Sequence, residues 1–175
     1  MQRLNILHLF VAMSLISLIS NAAPLQPGAK APAVKANDDS GQEVDFTSVY
    51  DSGPTLVFFY PKADTPGCTA QACSLRDAFQ DLDSKGLVIL GVSRDQVENQ
   101  KKFKEKFRLP FRLIADPDGH VAKAFGVPSV MGFTARQSFL VVDGKIVWHT
   151  GKAKTGDHVT EVQEALKVAM GPGNQ

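Results

Sequence analysis

Cysteine is nearly absent: the 175 residues hold two, Cys68 and Cys73. That excludes a disulfide-built scaffold, which needs several bridges in a short chain. It leaves structural zinc without the four ligands at recognisable spacings that such a site wants. An excess of either charge is missing too, with 19 Lys and Arg against 18 Asp and Glu. A balance so near neutrality carries no electrostatic footprint for nucleic acid or for an anionic membrane surface. Internal repeats, low-complexity tracts and a second composition regime are also lacking, so a single folded domain is expected.

Only the N-terminus carries a long hydrophobic run. Arg3 precedes a largely apolar stretch from Leu4 to Ile19, and Ser20-Asn21-Ala22 places small residues where a signal peptidase reads. Residues 1–22 are therefore expected to be a signal peptide, cut after Ala22, because a cut after Ala23 would leave Pro24 at the new terminus. The competing reading is an uncleaved anchor, although the run is shorter than the ~20 residues that span a bilayer. No Cys follows the run to take a lipid. Residues 23–175 then form an exported protein, periplasmic or secreted, with no membrane contact after cleavage. Its size suits one domain with a full core. Export matters to the two thiols, since disulfides form and persist outside the cytosol.

The mature chain opens with residues 23–42, rich in Ala, Pro, Lys, Asp and Gly, an extended lead-in with a turn at 37–41. TLVFFY (55–60) has the length and continuous apolarity of a buried central strand. Leu75, Ala78, Phe79 and Leu82 follow a helical period, so one helix is expected from about Thr65 to Lys85-Gly86. LVILGVS (87–93) is a second buried strand. Phe103 and Phe107 mark a surface helix ended by Pro110, and FRLIAD (111–116) is a short third strand. VAKAF (121–125) fits one or two helical turns. SFLVV and KIVWHT around Asp143-Gly144 form the clearest hairpin, and Val159, Val162, Leu166 and Ala169 define a last amphipathic helix. Parallel strands joined by helices, with an antiparallel hairpin added, make a mixed α/β layered fold. The order is similar to that of an elaborated thioredoxin fold, which by itself does not fix function.

FFYPKADTPGCTAQACSLRDAF (58–79) carries both thiols where a strand hands over to a helix. Thr65 at the N-cap and Pro66 at the first helical position are strong start signals. Cys68 then lies in the first turn, where free N–H groups and the positive dipole end favour a thiolate. A helix end contributes up to about 2 kcal/mol. A nucleophile ionised well below neutrality needs a further cation from elsewhere. Cys73 sits roughly 140° round the helix from Cys68, and on an intact helix their Cα atoms are about 8–9 Å apart, beyond the ~7 Å limit for a disulfide. A bond between them requires the first turns to unwind. That suits a bond made and broken in turnover better than a permanent staple.

The spacing C-x4-C differs from the C-x-x-C of thioredoxins and the C-x-x-x-C of copper-handling relatives of that fold. Pro61-x-x-x-Thr65-x-x-Cys68 matches the peroxiredoxin active-site motif. The longer string FYPKADTPGCTAQACSLRD resembles the Q-type, or bacterioferritin-comigratory-protein, subgroup of atypical two-cysteine peroxiredoxins. The resemblance runs from about Lys30 to the final helix and includes ARQSFLVVDGKI, where Arg136 aligns with the family's active-site arginine.

The resemblance implies a thioredoxin-like fold of peroxiredoxin type, with a mixed central sheet flanked by helices. It implies that Cys68 is the peroxidatic residue, attacking a hydroperoxide and becoming a sulfenic acid, and that Cys73 resolves it as a disulfide. Thr65 would hydrogen-bond thiolate and peroxide, Arg136 would stabilise the charges, and Pro61 would shield the sulfur from water. A thioredoxin-type dithiol would reduce the disulfide, and no metal, haem or flavin is implied. Plainer roles stand beside these. Thr65 and Pro66 serve as a helix cap, Arg136 as a solvated strand-end cation, and Arg76 and Asp77 as exposed helix charges. The lysines of 101–106 form a solvated face, and His120, His149 and His158 are ordinary surface or hairpin residues. The segment GVPSVMGFTAR (126–136) is shorter than the matching loop of many relatives and should border the site. A monomer is expected. Two other functions remain open, an exported thiol–disulfide oxidoreductase and a redox-sensing or copper-binding module.

Overall fold

The computed structural model describes residues 23–171, and the expected signal peptide lies outside them. The lead-in carries more structure than its composition suggests. β1 (Lys35–Asp38) and β2 (Glu43–Asp45) form an antiparallel hairpin. Its turn is closed by the Asp38 carboxylate, which accepts the Ser40 and Gln42 amides at 2.8 and 3.1 Å. The turn falls where expected; the pairing of its flanks was not. α1 (Phe46–Ser52) follows directly, capped by Asp45, which accepts the Thr47 amide at 2.9 Å. Seven residues are too few to display a helical period, so this element leaves no clear signature in the sequence.

β3 (Thr55–Phe59) is buried at every position. Leu56 and Phe58 face one helical layer while Val57 and Phe59 face the other, which is why the strand reads as an unbroken apolar run. The stretch expected as one helix is two, α2 (Pro66–Asp77) and α3 (Phe79–Ser84), broken at Ala78. Neither Gly nor Pro causes the break. Leu75 and Leu82 both stay fully buried, Phe79 lies against Phe111, and the Arg76 guanidinium donates to the Phe107 carbonyl at 2.9 Å. Tertiary contacts set this bend rather than local sequence.

β4 (Val88–Ser93), α4 (Val97–Phe107) and β5 (Arg112–Ala115) follow the expected order, as does α5 (His120–Ala124). Next comes a small hairpin absent from the sequence reading, β6 (Ser129–Val130) and β7 (Phe133–Thr134). Its tip residues Met131 and Gly132 have φ of 51° and 82°, the pair of positive values that a tight type I′ turn demands. β8 (Gln137–Val142) and β9 (Lys145–Thr150) are the hairpin around Asp143-Gly144, and α6 (His158–Ala169) closes the fold.

The main sheet has seven strands in the order β2-β1-β5-β4-β3-β8-β9. β3, β4 and β5 run parallel at its centre, and β8 pairs antiparallel with β3. One core layer lies under α1 and α5, the other under α2, α3, α4 and α6. The site develops in the second layer, where β3 ends and α2 begins. Two surface expectations need correction. Lys104 leaves the solvated face to pair with the largely buried Asp39 carboxylate at 2.9 Å, whereas Lys101, Lys102 and Lys106 stay exposed as expected, Lys106 pairing with Asp64 at 2.7 Å. Arg76 is no free helix charge either, because it ties the last turn of α2 to the carbonyl end of α4.

Candidate active site

The start of α2 is built as its sequence suggests, with Thr65 extended at the N-cap and Pro66 in the first turn. The capping bond itself is missing. Thr65 Oγ1 donates instead to the Lys62 carbonyl at 3.0 Å, closing the turn before the helix. The first-turn amides are thus left without a side-chain acceptor, and their positive end faces the site undiminished. Cys68 sits in that turn, 1% exposed. Its sulfur accepts a hydrogen bond from Arg136 Nη2 at 3.3 Å. Arg136 is therefore the second cation that the helix end alone could not supply, and not a solvated strand-end charge.

Arg136 is itself held. Its Nη1 donates to Oε1 of Gln71, one turn after Cys68 and wholly buried. Gln71 escaped the sequence reading, although a signal exists: a polar residue at i+3 from the cysteine, on the face that carries Leu75 inward. Its Nε2 finds no hydrogen-bond partner among the described residues. Cys73 lies on the other side of α2 and is half-buried, and both thiols are free. That separation follows from the helical geometry expected of a five-residue spacing.

A polar network fixes the loop from Pro61 to Thr65, whose Pro61 is half-buried. The Ala63 amide donates to Asp95 Oδ2 at 2.8 Å, and Ser93 Oγ donates to the same oxygen at 2.7 Å. Gln100 Nε2 donates to Ser93 Oγ at 2.9 Å and to the Ile114 carbonyl at 2.8 Å, while its Oε1 accepts the Tyr60 hydroxyl. Burial pushes the Tyr60 phenol well above its ordinary value, with Asp95 adding to the push, so Tyr60 stays a neutral donor. From the other side, Thr134 Oγ1 donates to the Tyr60 carbonyl at 2.7 Å. This brings the β6–β7 hairpin to the site's rim, where segment 126–136 was expected. Val130, Met131 and Phe133 are exposed there, with the Lys62 ammonium 6.0 Å from the Phe133 ring centre.

The histidines divide. His120 is exposed and bonds the Lys35 carbonyl at 2.8 Å. His149 is half-buried, stacked on Phe139 with centroids 4.6 Å apart; burial lowers its pKa. His158 corrects the expectation, being fully buried and hydrogen-bonded to Ser138.

Comparison with known proteins places this geometry in a lineage. The AhpC/TSA family model matches residues 27–149. The chain is 42% identical to peroxiredoxin Bcp of Escherichia coli over 82% of its length and 97% of that protein's. It is 37% identical to peroxiredoxin Bcp of Bacillus subtilis, covering 82% and 96%. Among solved structures, peroxidoxin BcpB of Mycobacterium tuberculosis superposes with a TM-score of 0.78 at 29% identity, over 82% of this chain and 97% of that one. Peroxiredoxin Q of Xanthomonas campestris gives 0.75 at 28%, over 81% and 97%.

Proposed function

The chain belongs to the AhpC/TSA family and is a thiol peroxidase of the Bcp and peroxiredoxin Q kind; within that chemistry we propose that Cys68 is the peroxidatic residue and Cys73 the resolving one. The observation that carries the assignment is the 3.3 Å contact between Arg136 Nη2 and Cys68 Sγ at the start of a helix.

The Cys68 thiolate attacks the terminal oxygen of a hydroperoxide. A sulfur–oxygen bond forms, the oxygen–oxygen bond breaks, and the remaining oxygen departs as water or alcohol after taking a proton. Arg136 serves twice, first holding the thiolate and then meeting charge on the leaving oxygen. Thr65 turns its hydroxyl from the Lys62 carbonyl toward the peroxide, and Pro61 keeps bulk water off the sulfur. The Cys73 thiol then condenses with the sulfenic acid, releasing water and leaving a disulfide. α2 must lose its first turns for this, since the two thiols lie on different sides of the helix. A thioredoxin-type dithiol returns the disulfide to two thiols by exchange.

Hydrogen peroxide and organic hydroperoxides are both proposed substrates. The apolar rim of Val130, Met131 and Phe133 suits a hydrocarbon tail, and the bacterioferritin comigratory protein of Xanthomonas campestris reduces alkyl peroxides. Cys68, Gln71, Cys73 and Arg136 all come from one chain, which supports a catalytic monomer. The pattern of residues 1–22 supports an exported enzyme, periplasmic or secreted, whose reductant shares its compartment. A thiol–disulfide oxidoreductase is less well served by a thiol so deeply covered.

Stopped-flow addition of hydrogen peroxide to the reduced protein tests the assignment. In a Cys73→Ser variant, one added oxygen should accumulate on Cys68, followed by a second under excess peroxide. Oxygen appearing elsewhere, or a Cys73→Ser variant that still completes turnover, would overturn the roles given to the pair.

A further inference from the structure

Arg136 directly precedes β8, and Ser138, two residues on, shares its side of the strand. Ser138 is fully buried, and so is His158 at the start of α6. Ser138 Oγ lies 3.1 Å from His158 Nε2, and His158 Nδ1 lies 3.4 Å from Glu161 Oε2. A carboxylate only accepts, so Nδ1 carries the imidazole proton and Nε2 accepts the serine hydroxyl. Serine, histidine and glutamate in this order suggest a hydrolytic triad, but a fully buried serine cannot meet a substrate. None of the three takes part in peroxide reduction as derived above. They nonetheless tie α6 to the strand end that presents Arg136. The same Glu161 oxygen accepts the Lys154 amide at 3.3 Å. That anchors the loop carrying Thr155, which together with Arg136 crowds Gly67 at the start of α2.

We propose that His158 is a positioning residue for Arg136. Uncharged, it anchors Ser138 and the strand end that offers the guanidinium to Cys68; protonated, it repels that guanidinium and withdraws the cation from the thiolate. The charged and titratable groups facing it are few. Glu161 comes from its own helix and Arg136 from the edge of β8, where Arg136 also binds the Cys68 thiol of α2. β3 contributes only the Phe58 ring, 6.3 Å away. Burial holds the imidazole below the ordinary histidine value of 6.5; Glu161 pulls it up, and Arg136 presses it down. The proton is therefore taken up on the acid side of 6.5, where its arrival on His158 lowers the rate of peroxide reduction.

The test is the second-order rate constant with hydrogen peroxide between about pH 4.5 and 8, for the parent, His158→Gln and Glu161→Gln. On a logarithmic plot the parent's acid limb should be steeper than that of His158→Gln, which has lost the titrating imidazole. The ratio of the rate near pH 5 to that near pH 8 should rise roughly threefold or more in His158→Gln. Glu161→Gln keeps the histidine but removes the carboxylate that favours its proton, so the histidine break should move to lower pH. Parallel profiles for all three proteins would overturn the proposal, whether the variants match the parent or are uniformly slower. Should His158→Gln fail to fold by circular dichroism, the Glu161→Gln profile decides alone. The inference rests on the peroxidase reading, whose own failure would look different: a parent that consumes no peroxide at any pH.

Discussion

Cys68→Ser should retain less than about a thousandth of the parent's rate of peroxide reduction. Serine is nearly the same size as cysteine, so the first turn of α2 and the packing around this buried position should survive, as circular dichroism would verify. What disappears is the chemistry. A serine hydroxyl is not ionised beside Arg136 at neutral pH, and its oxygen cannot accept a second oxygen and give it up again. The positive helix end and the guanidinium would then surround a group unable to use them. A serine variant consuming peroxide as fast as the parent would show that the reaction proceeds elsewhere.

The next largest effect belongs to Arg136. Replacing it by Ala removes the donor 3.3 Å from the sulfur, and the rate constant with peroxide should fall by about two to three orders of magnitude. Arg136→Ala has a second cost in Gln71, which is fully buried and bonded to Nη1. With its Nε2 already lacking a partner among the described residues, the amide would be left bare at both ends, a penalty of about 1–3 kcal/mol in stability. Arg136→Lys should recover part of the rate but not the stability, because one ammonium cannot reproduce a fork that meets sulfur and amide together. A rate unchanged in Arg136→Ala would remove the guanidinium from the mechanism.

Much of this is legible in the amino-acid sequence itself. The buried strand at 55–59, the helix start at Thr65-Pro66 and the hairpin at Asp143-Gly144 each rest on a local signal, and local signals survive folding. The opposed placement of Cys68 and Cys73 follows from a five-residue spacing alone. What stayed hidden depends on partners distant in sequence. The break at Ala78 answers to Phe111 and Phe107. Thr65 occupies the cap position yet spends its hydroxyl on Lys62. Asp95 matters because it reaches the Ala63 amide, 32 residues back. His158 looked ordinary because nothing near it in sequence announces Ser138. Short elements such as α1 and the β6–β7 hairpin span too few residues for a period to emerge.

The proposed link between structure and turnover is the unwinding of α2, and amide hydrogen exchange over residues 66–77 reads it directly. Reduced protein should protect these amides as an intact helix does. Stoichiometric oxidation to the Cys68–Cys73 disulfide should speed their exchange by at least about tenfold, with the β3 and β4 amides unchanged. A disulfide formed between Cys68 and Cys73 with protection over 66–77 undiminished would contradict it.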